Sequence, residues 1–235
     1  MKDVNLIRNY NFLGTLFSLL FWQAKFKRDH PDYFYADGIT VFCGAQGSGK
    51  TYSAVQYAKK LIQKYPKSIL VSNIEIHDLP EDYVVHRYTG PNDLSKYENG
   101  EFGVIYLIDE IHIDFNSLES KSIPASIITE ICQQRKQRKC IIGTSQVYSR
   151  LAKPFREQMR YAVLCRSFFN VLQFNTVCDG DTMSVGDDGA VSGIKLFRSI
   201  YFRDPRIFEC YDTYAKILRL SKSEFDYERR NKRAL

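Results

Sequence analysis

Gly44-Ala45-Gln46-Gly47-Ser48-Gly49-Lys50-Thr51 is the stretch from which the rest of this 235-residue chain can be read. The apolar run Ile39-Thr40-Val41-Phe42-Cys43 precedes it and reads as a buried strand. Ala54, Ala58, Leu61 and Tyr65 follow at the spacing of one helix face. Strand, G-x-x-x-x-G-K-T and helix together form the context that a phosphate-binding loop requires. Glycines let the backbone turn tightly and bring its N–H groups against phosphate oxygens. The helix N-terminus adds partial positive charge. Lys50 is placed to reach the β- and γ-phosphates, and the Thr51 hydroxyl to sit on Mg²⁺. With Tyr52 directly after them, residues 44–51 are the candidate ATP-binding residues.

Hydrolysis needs a partner on the metal side. Val104-Ile105-Tyr106-Leu107-Ile108 reads as a strand buried on both faces, as in a parallel sheet, and Asp109-Glu110 emerge at its carboxyl end. Asp109 is the expected second holder of Mg²⁺, and Glu110 the residue that polarises the attacking water. Cys140-Ile141-Ile142-Gly143-Thr144-Ser145-Gln146 is a further buried strand with a polar tip. If it lies between the other two strands, Gln146 emerges beside the γ-phosphate, where it can orient water.

These readings give an α/β P-loop NTPase with a mainly parallel sheet flanked by helices and a β-rich C-terminal appendage. The expected divisions are 1–36, an N-terminal apolar and basic helical segment; 37–168, the ATPase core; 169–215, a β-rich extension; and 216–235, a charged tail. Within the extension, 170–178, 193–203 and 206–210 read as β-rich. Asp179, Asp181 and Asp187 sit in turn sequences, but Met183 breaks the EF-hand pattern and the closing Glu is missing. Six cysteines without a C-x-x-C pair, and only four histidines, argue against a zinc site or a disulfide framework.

Charge is local rather than global. The net charge is +6, yet Glu130 to Arg166 holds nine cations (135, 136, 138, 139, 150, 153, 156, 160, 166) against Glu130 and Glu157. That segment suits a phosphate backbone, and without a base-reading motif the expected contact is DNA of any sequence. Arg150, Lys153 and Arg156 are the nucleic-acid candidates. Arg135 and Arg138, three residues apart, are expected on one helix face close to the nucleotide edge of the sheet, where either one is an arginine-finger candidate for a neighbouring subunit. The alternative is a solvated helix end whose charge suits the C-terminal dipole.

Phe12 to Trp22 is almost wholly apolar and is followed by Lys25, Lys27 and Arg28. Eleven residues make about 16 Å of helix, too short to span a bilayer. The segment reads either as a helix packed on the domain or on a neighbouring subunit, or as an interfacial anchor in peripheral contact with a membrane.

The phosphate loop, Ile69-Leu70-Val71-Ser72-Asn73-Ile74 as second strand, Leu107-Ile108-Asp109-Glu110, the basic segment before residues 141–146, and Phe208-Glu209-Cys210-Tyr211-Asp212-Thr213-Tyr214 form an ordered set. It resembles the zonula occludens toxin-like (Zot-like) ATPases of filamentous-phage assembly and export, within the FtsK/HerA translocase superfamily. The resemblance covers roughly residues 37–215. It implies an Asp109–Glu110 hydrolytic pair, a sensor at Gln146, ATP and Mg²⁺ as cofactors, a ring-shaped homo-oligomer, and a viral capsid or membrane-assembly partner. The place of work it implies is the host cytoplasm or a virion vertex, with peripheral membrane contact as a variant. Zot-like proteins usually carry a membrane-spanning helix after the ATPase domain. This sequence shows none, which favours genome packaging over extrusion. A helicase is a second expectation, because Asp109-Glu110-Ile111-His112 is similar to the acidic box of one helicase superfamily. A membrane-docked assembly ATPase that moves no DNA is a third.

Overall fold

The computed structural model describes residues 12–35, 37–186 and 191–212. Its centre is an eight-stranded sheet in the order β10-β7-β6-β1-β5-β4-β2-β3. The strands are β1 (Ile39–Cys43), β2 (Ile69–Ser72), β3 (Val85–Arg87), β4 (Val104–Ile108), β5 (Lys139–Ser145), β6 (Met159–Phe168), β7 (Leu172–Asp179) and β10 (Lys195–Phe202). From β3 to β6 every pairing is parallel, while β7 and β10 are antiparallel to their neighbours. β1, β4 and β5 are buried along their whole length. That is why their sequences are continuous apolar runs rather than alternating ones.

Helix α2 (Lys50–Lys64) covers one face. Its Ala54, Val55, Ala58, Leu61 and Ile62 pack with Phe42, Ile105, Leu107, Ile142 and Val163. The other face is covered by α3 (Asp93–Lys96), α4 (Ala125–Gln133) and α5 (Lys153–Arg156), through residues such as Leu94, Ile127, Ile131 and Phe155. Each fully buried Leu, Ile or Phe here contributes about 1.5–3 kcal/mol. A short hairpin, β8 (Ser184–Val185) with β9 (Val191–Ser192), stands outside the main sheet.

The C-terminal strands are present, but they are not set apart from the core. β7 pairs with β6 over its length, so the β-rich extension continues the same sheet past residue 168 as its antiparallel edge. The β-rich expectation for 206–210 fails: α6 (Pro205–Glu209) takes all but the last of these residues. Asp204 accepts a hydrogen bond from Arg206 N and Pro205 takes the first helical position. This Asp-Pro start outweighs the β-like composition. Asp187 and the expected tail at 216–235 lie outside the described residues.

Helix α1 (Phe12–Asp29) is longer than its apolar run. Leu16, Phe17, Leu19, Leu20, Phe21 and Trp22 are exposed, so the expectation that it packs on its own domain fails. Among the described residues its C-terminal end is tied in through Phe26 against Tyr33 and His30 near Glu101. No helix among the described residues is long and apolar enough to cross a membrane.

Candidate active site

The loop from Gly44 to Gly49 joins the carboxyl end of β1 to the first turn of α2. Gly47 (φ 75°) and Gly49 (φ 81°) are left-handed, the region that disfavours side chains. A Cβ on Gly44 would lie 2.6 Å from Cys165 O and from Ser48 Oγ, so that glycine is required by close approach. Lys50 folds back over the loop, with Nζ donating to Ala45 O at 3.1 Å.

The second half of the site comes from β4 and β5, and β5 does lie between β1 and β4. Thr51 Oγ1 donates to Asp109 Oδ1 at 2.9 Å, joining residues 58 positions apart in sequence. Thr144 Oγ1, at the end of β5, donates to the same oxygen at 2.6 Å and accepts from Glu110 N at 2.9 Å. Asn73, just past β2, exchanges two 2.8 Å hydrogen bonds with the Asp109 backbone. Glu110 is held in the left-handed region at φ 52°, which turns the chain sharply after β4. Gln146 Nε2 donates to Glu110 Oε1 at 3.1 Å. His112 Nδ1 stands 3.1 Å from Glu110 Oε2, within ion-pair range but off-line for a hydrogen bond.

The two carboxylates are tuned in opposite directions. Burial raises the Asp109 carboxyl above its usual value, against the opposing donors Thr144 and Thr51. Burial also pushes Glu110 upward, but His112 and Gln146, with the Lys50 charge, outweigh it and leave its pKa lowered. A carboxylate that holds Mg²⁺ and one that polarises water both act ionised, the form that Thr144 and Thr51 favour at Asp109 and that His112 and Gln146 favour at Glu110. Thr51 Oγ1 and Asp109 Oδ1 suit a hard cation that takes oxygen ligands. Among the described residues the buried Ser48 Oγ has no hydrogen-bond partner, an unmet polar atom in the loop that a phosphate would answer.

No protein-family profile matches the sequence, and no curated protein matches it. Its fold is matched by the N-terminal domain of zonular occludens toxin from Neisseria meningitidis, with a TM-score of 0.50 and 19% identity, over 74% of this chain and 98% of that domain. The chain shares the fold of that zonular occludens toxin domain. A looser likeness is the genome packaging NTPase B204 from Sulfolobus turreted icosahedral virus 2 in complex with ATP-gammaS (TM-score 0.45, 14% identity, 66% of this chain and 95% of that one). Another is B204, the DNA-packaging ATPase from Sulfolobus turreted icosahedral virus (TM-score 0.45, 16% identity, 67% of this chain and 97% of that one).

Within the Zot-like fold, Arg135 and Arg138 are not where the sequence puts them. α4 ends at Gln133, and both arginines lie in the turns that follow, Arg138 itself at φ 54°. They precede β5, so they sit at the amino ends of the parallel strands, opposite the edge that carries the phosphate loop. Arg138 stacks over Tyr33, 4.7 Å from the ring centroid, and Arg135 lies beside Gly38. They share no helix face, and the premise that they stand at the nucleotide edge is wrong. Lys139, counted with the basic cluster, is buried, with Nζ 2.6 Å from Leu94 O and 3.2 Å from Glu130 Oε2.

Arg150, Lys153 and Arg156 run from the Gln146 edge down the α5 side of the sheet. Arg150 and Lys153 are exposed, while Arg156 is half-buried with its guanidinium 5.5 Å from the Tyr148 ring centroid. Arg150 also lines a cleft of about 660 Å³ with His112 and Glu119. A larger cleft of about 980 Å³ runs from Gly44–Ser48 over Arg166, Phe174 and Arg198. Asn73, Thr144 and His112 reach the site although sequence reading gave them no role in it. Asn73 and Thr144 were visible as polar residues at the ends of apolar runs. Arg203 and Gln173, packed on the loop at Gly49, carried no such signal.

Proposed function

We propose that this protein is an ATP-hydrolysing motor that moves viral DNA during packaging or export of the particle, as a ring-shaped homo-oligomer. The observation that carries the hydrolytic part is the meeting of Thr51 and Asp109 at 2.9 Å beside a Glu110 that Gln146 holds at 3.1 Å. The loop N–H groups and Lys50 bind the phosphate chain. Thr51 and Asp109 would hold Mg²⁺, which would supply charge neutralisation on the phosphate oxygens. Glu110, ionised at neutral pH, orients and polarises the attacking water, and Gln146 fixes that carboxylate. DNA handling is supported by the local cation excess and by the Zot-like fold. The exposed apolar side chains of α1 favour a second reading, an assembly ATPase held at a membrane surface that moves no DNA.

The deciding experiment measures ATPase rate with no DNA, single-stranded DNA and duplex DNA, on protein of determined oligomer size. Duplex-stimulated hydrolysis without strand separation is expected. DNA affinity should fall steeply with salt and vary little with sequence. The triple change Arg150→Ala, Lys153→Ala, Arg156→Ala should weaken all sequences alike. Hydrolysis indifferent to DNA would remove translocation and favour the assembly ATPase. Absence of hydrolysis in the oligomer would remove the motor altogether.

A further inference from the structure

On the opposite side of β1 from Asp109, one arginine is pressed against the phosphate loop. Arg203 follows β10, and a Cβ on Gly49 would overlap its Nη2 and the Oε1 of Gln173. Arg203 Nε and Nη2 both donate to Gln173 Oε1, at 3.0 and 2.7 Å, and Gln173 Nε2 donates to Ser48 O at 3.1 Å. Nη1 reaches Asn170 Oδ1 at 3.4 Å. The guanidinium lies 5.4 Å from the Tyr52 ring centroid and 5.8 Å from that of Phe208. Tyr52 Oη is fixed by Asp204 N at 2.7 Å.

Among the described residues no carboxylate stands within ion-pair distance of Arg203, and the adjacent Asp204 pairs with Arg206 instead. A half-buried cation without an anion is unfavourable unless an anion arrives. Its guanidinium has N–H groups beyond those used by Gln173 and Asn170. The loop it touches is built to receive a polyanion. The metal-side residues Thr51 and Asp109 fix the terminal-phosphate end toward β4. The sugar-proximal end therefore runs the other way across β1, toward β7 and β10.

We propose that Arg203 is a nucleotide-binding residue that holds the sugar-proximal phosphate, aimed by Gln173 and stacked on Tyr52. The proposal rests on the ATP-binding reading above. It also gives β10 and α6 a stake in occupancy of the site, since one side chain joins them to the loop.

The test is calorimetric titration of Mg-ATP and Mg-ADP into full-length wild type, Arg203→Gln, Arg203→Lys and Lys50→Ala, at low and high salt. Arg203→Gln should weaken ATP and ADP equally, by about ten- to a hundred-fold, the worth of one charged hydrogen bond. Its affinity should also depend less on salt. Arg203→Lys, which keeps the charge, should recover part of the loss and serves if the Gln variant folds poorly. Wild-type affinity in Arg203→Gln, with binding lost in Lys50→Ala, overturns the proposal and leaves the ATP reading standing. Equal weakening at both salts with a lower melting temperature makes Arg203 a structural clip and also overturns it. A wild type that binds neither nucleotide overturns the ATP reading, and this proposal with it.

Discussion

Asn73 and Asp109 clasp each other: Asn73 Nδ2 donates to Asp109 O, and Asp109 N donates to Asn73 Oδ1, both at 2.8 Å. This pair closes the carboxyl ends of β2 and β4, where the backbone would otherwise have lost its sheet partners. Asn73→Leu strands both Asp109 backbone groups and should cost about 1–3 kcal/mol of stability. Because the Asp109 carboxylate then loses its fixed aim, hydrolysis should drop at least about ten-fold while ATP binding changes little. Thermal unfolding and turnover measured together check this, and unchanged turnover removes the clasp from the mechanism.

The phosphate and water sides should separate by mutation. Lys50→Ala and Asp109→Asn should abolish hydrolysis. Glu110→Gln should still bind ATP, because Glu110 acts on water rather than on the nucleotide. Gln146→Ala should lower turnover without weakening binding, because it touches Glu110 and not the loop. Near-normal turnover in Glu110→Gln would exclude it as the water-polarising group.

The pair of buried Lys139 with half-buried Glu130 is a stability determinant far from the chemistry. Among the described residues Glu130→Ala leaves the Lys139 ammonium with Leu94 O alone, and it should cost about 2–4 kcal/mol, below the full cost of breaking a fully buried pair because Glu130 is partly exposed. Lys139→Met, which removes the charge and keeps the stem, should cost much less. Urea midpoints of the two variants decide; equal losses would contradict the pairing.

Thiol labelling should follow burial. Cys43, Cys140 and Cys165 are pushed up to about 12, chiefly by burial, so at pH 8 they remain protonated and slow to alkylate. Cys132 is exposed. Mass spectrometry after brief iodoacetamide treatment should find Cys132 labelled first, and the other five only after unfolding.

Much of this was legible before any coordinates. The phosphate loop, the strand ending at Asp109-Glu110 and the polar tip at Gln146 are local signals. A continuous apolar run names a doubly buried strand, and the chemistry-bearing residues stand at its end. Even the placing of β5 between β1 and β4 could be written as a condition on Gln146, and the sheet order met it.

Errors arose where sequence distance was read as spatial distance. Arg135 and Arg138 stand close before β5, yet a parallel strand carries the chain from one edge of the sheet to the other. Residues before a strand and residues after it therefore face opposite ends. Lys139 looked like one more surface cation because composition does not report burial.

The sequence by itself determined the phosphate loop, the acidic pair and the α/β class, because glycine conformation, apolar periodicity and strand-end polarity act within a few residues. Only the tertiary structure decided that Asn73 and Thr144 orient Asp109 and Glu110, and that Gln173 and Arg203 brace Gly49. Those contacts join residues 34 to 36 positions apart in the first case and 125 in the bond from Gln173 to Ser48. They exist because parallel pairing gathers the carboxyl ends of separate strands at one edge and brings the last strands of the sheet alongside α2.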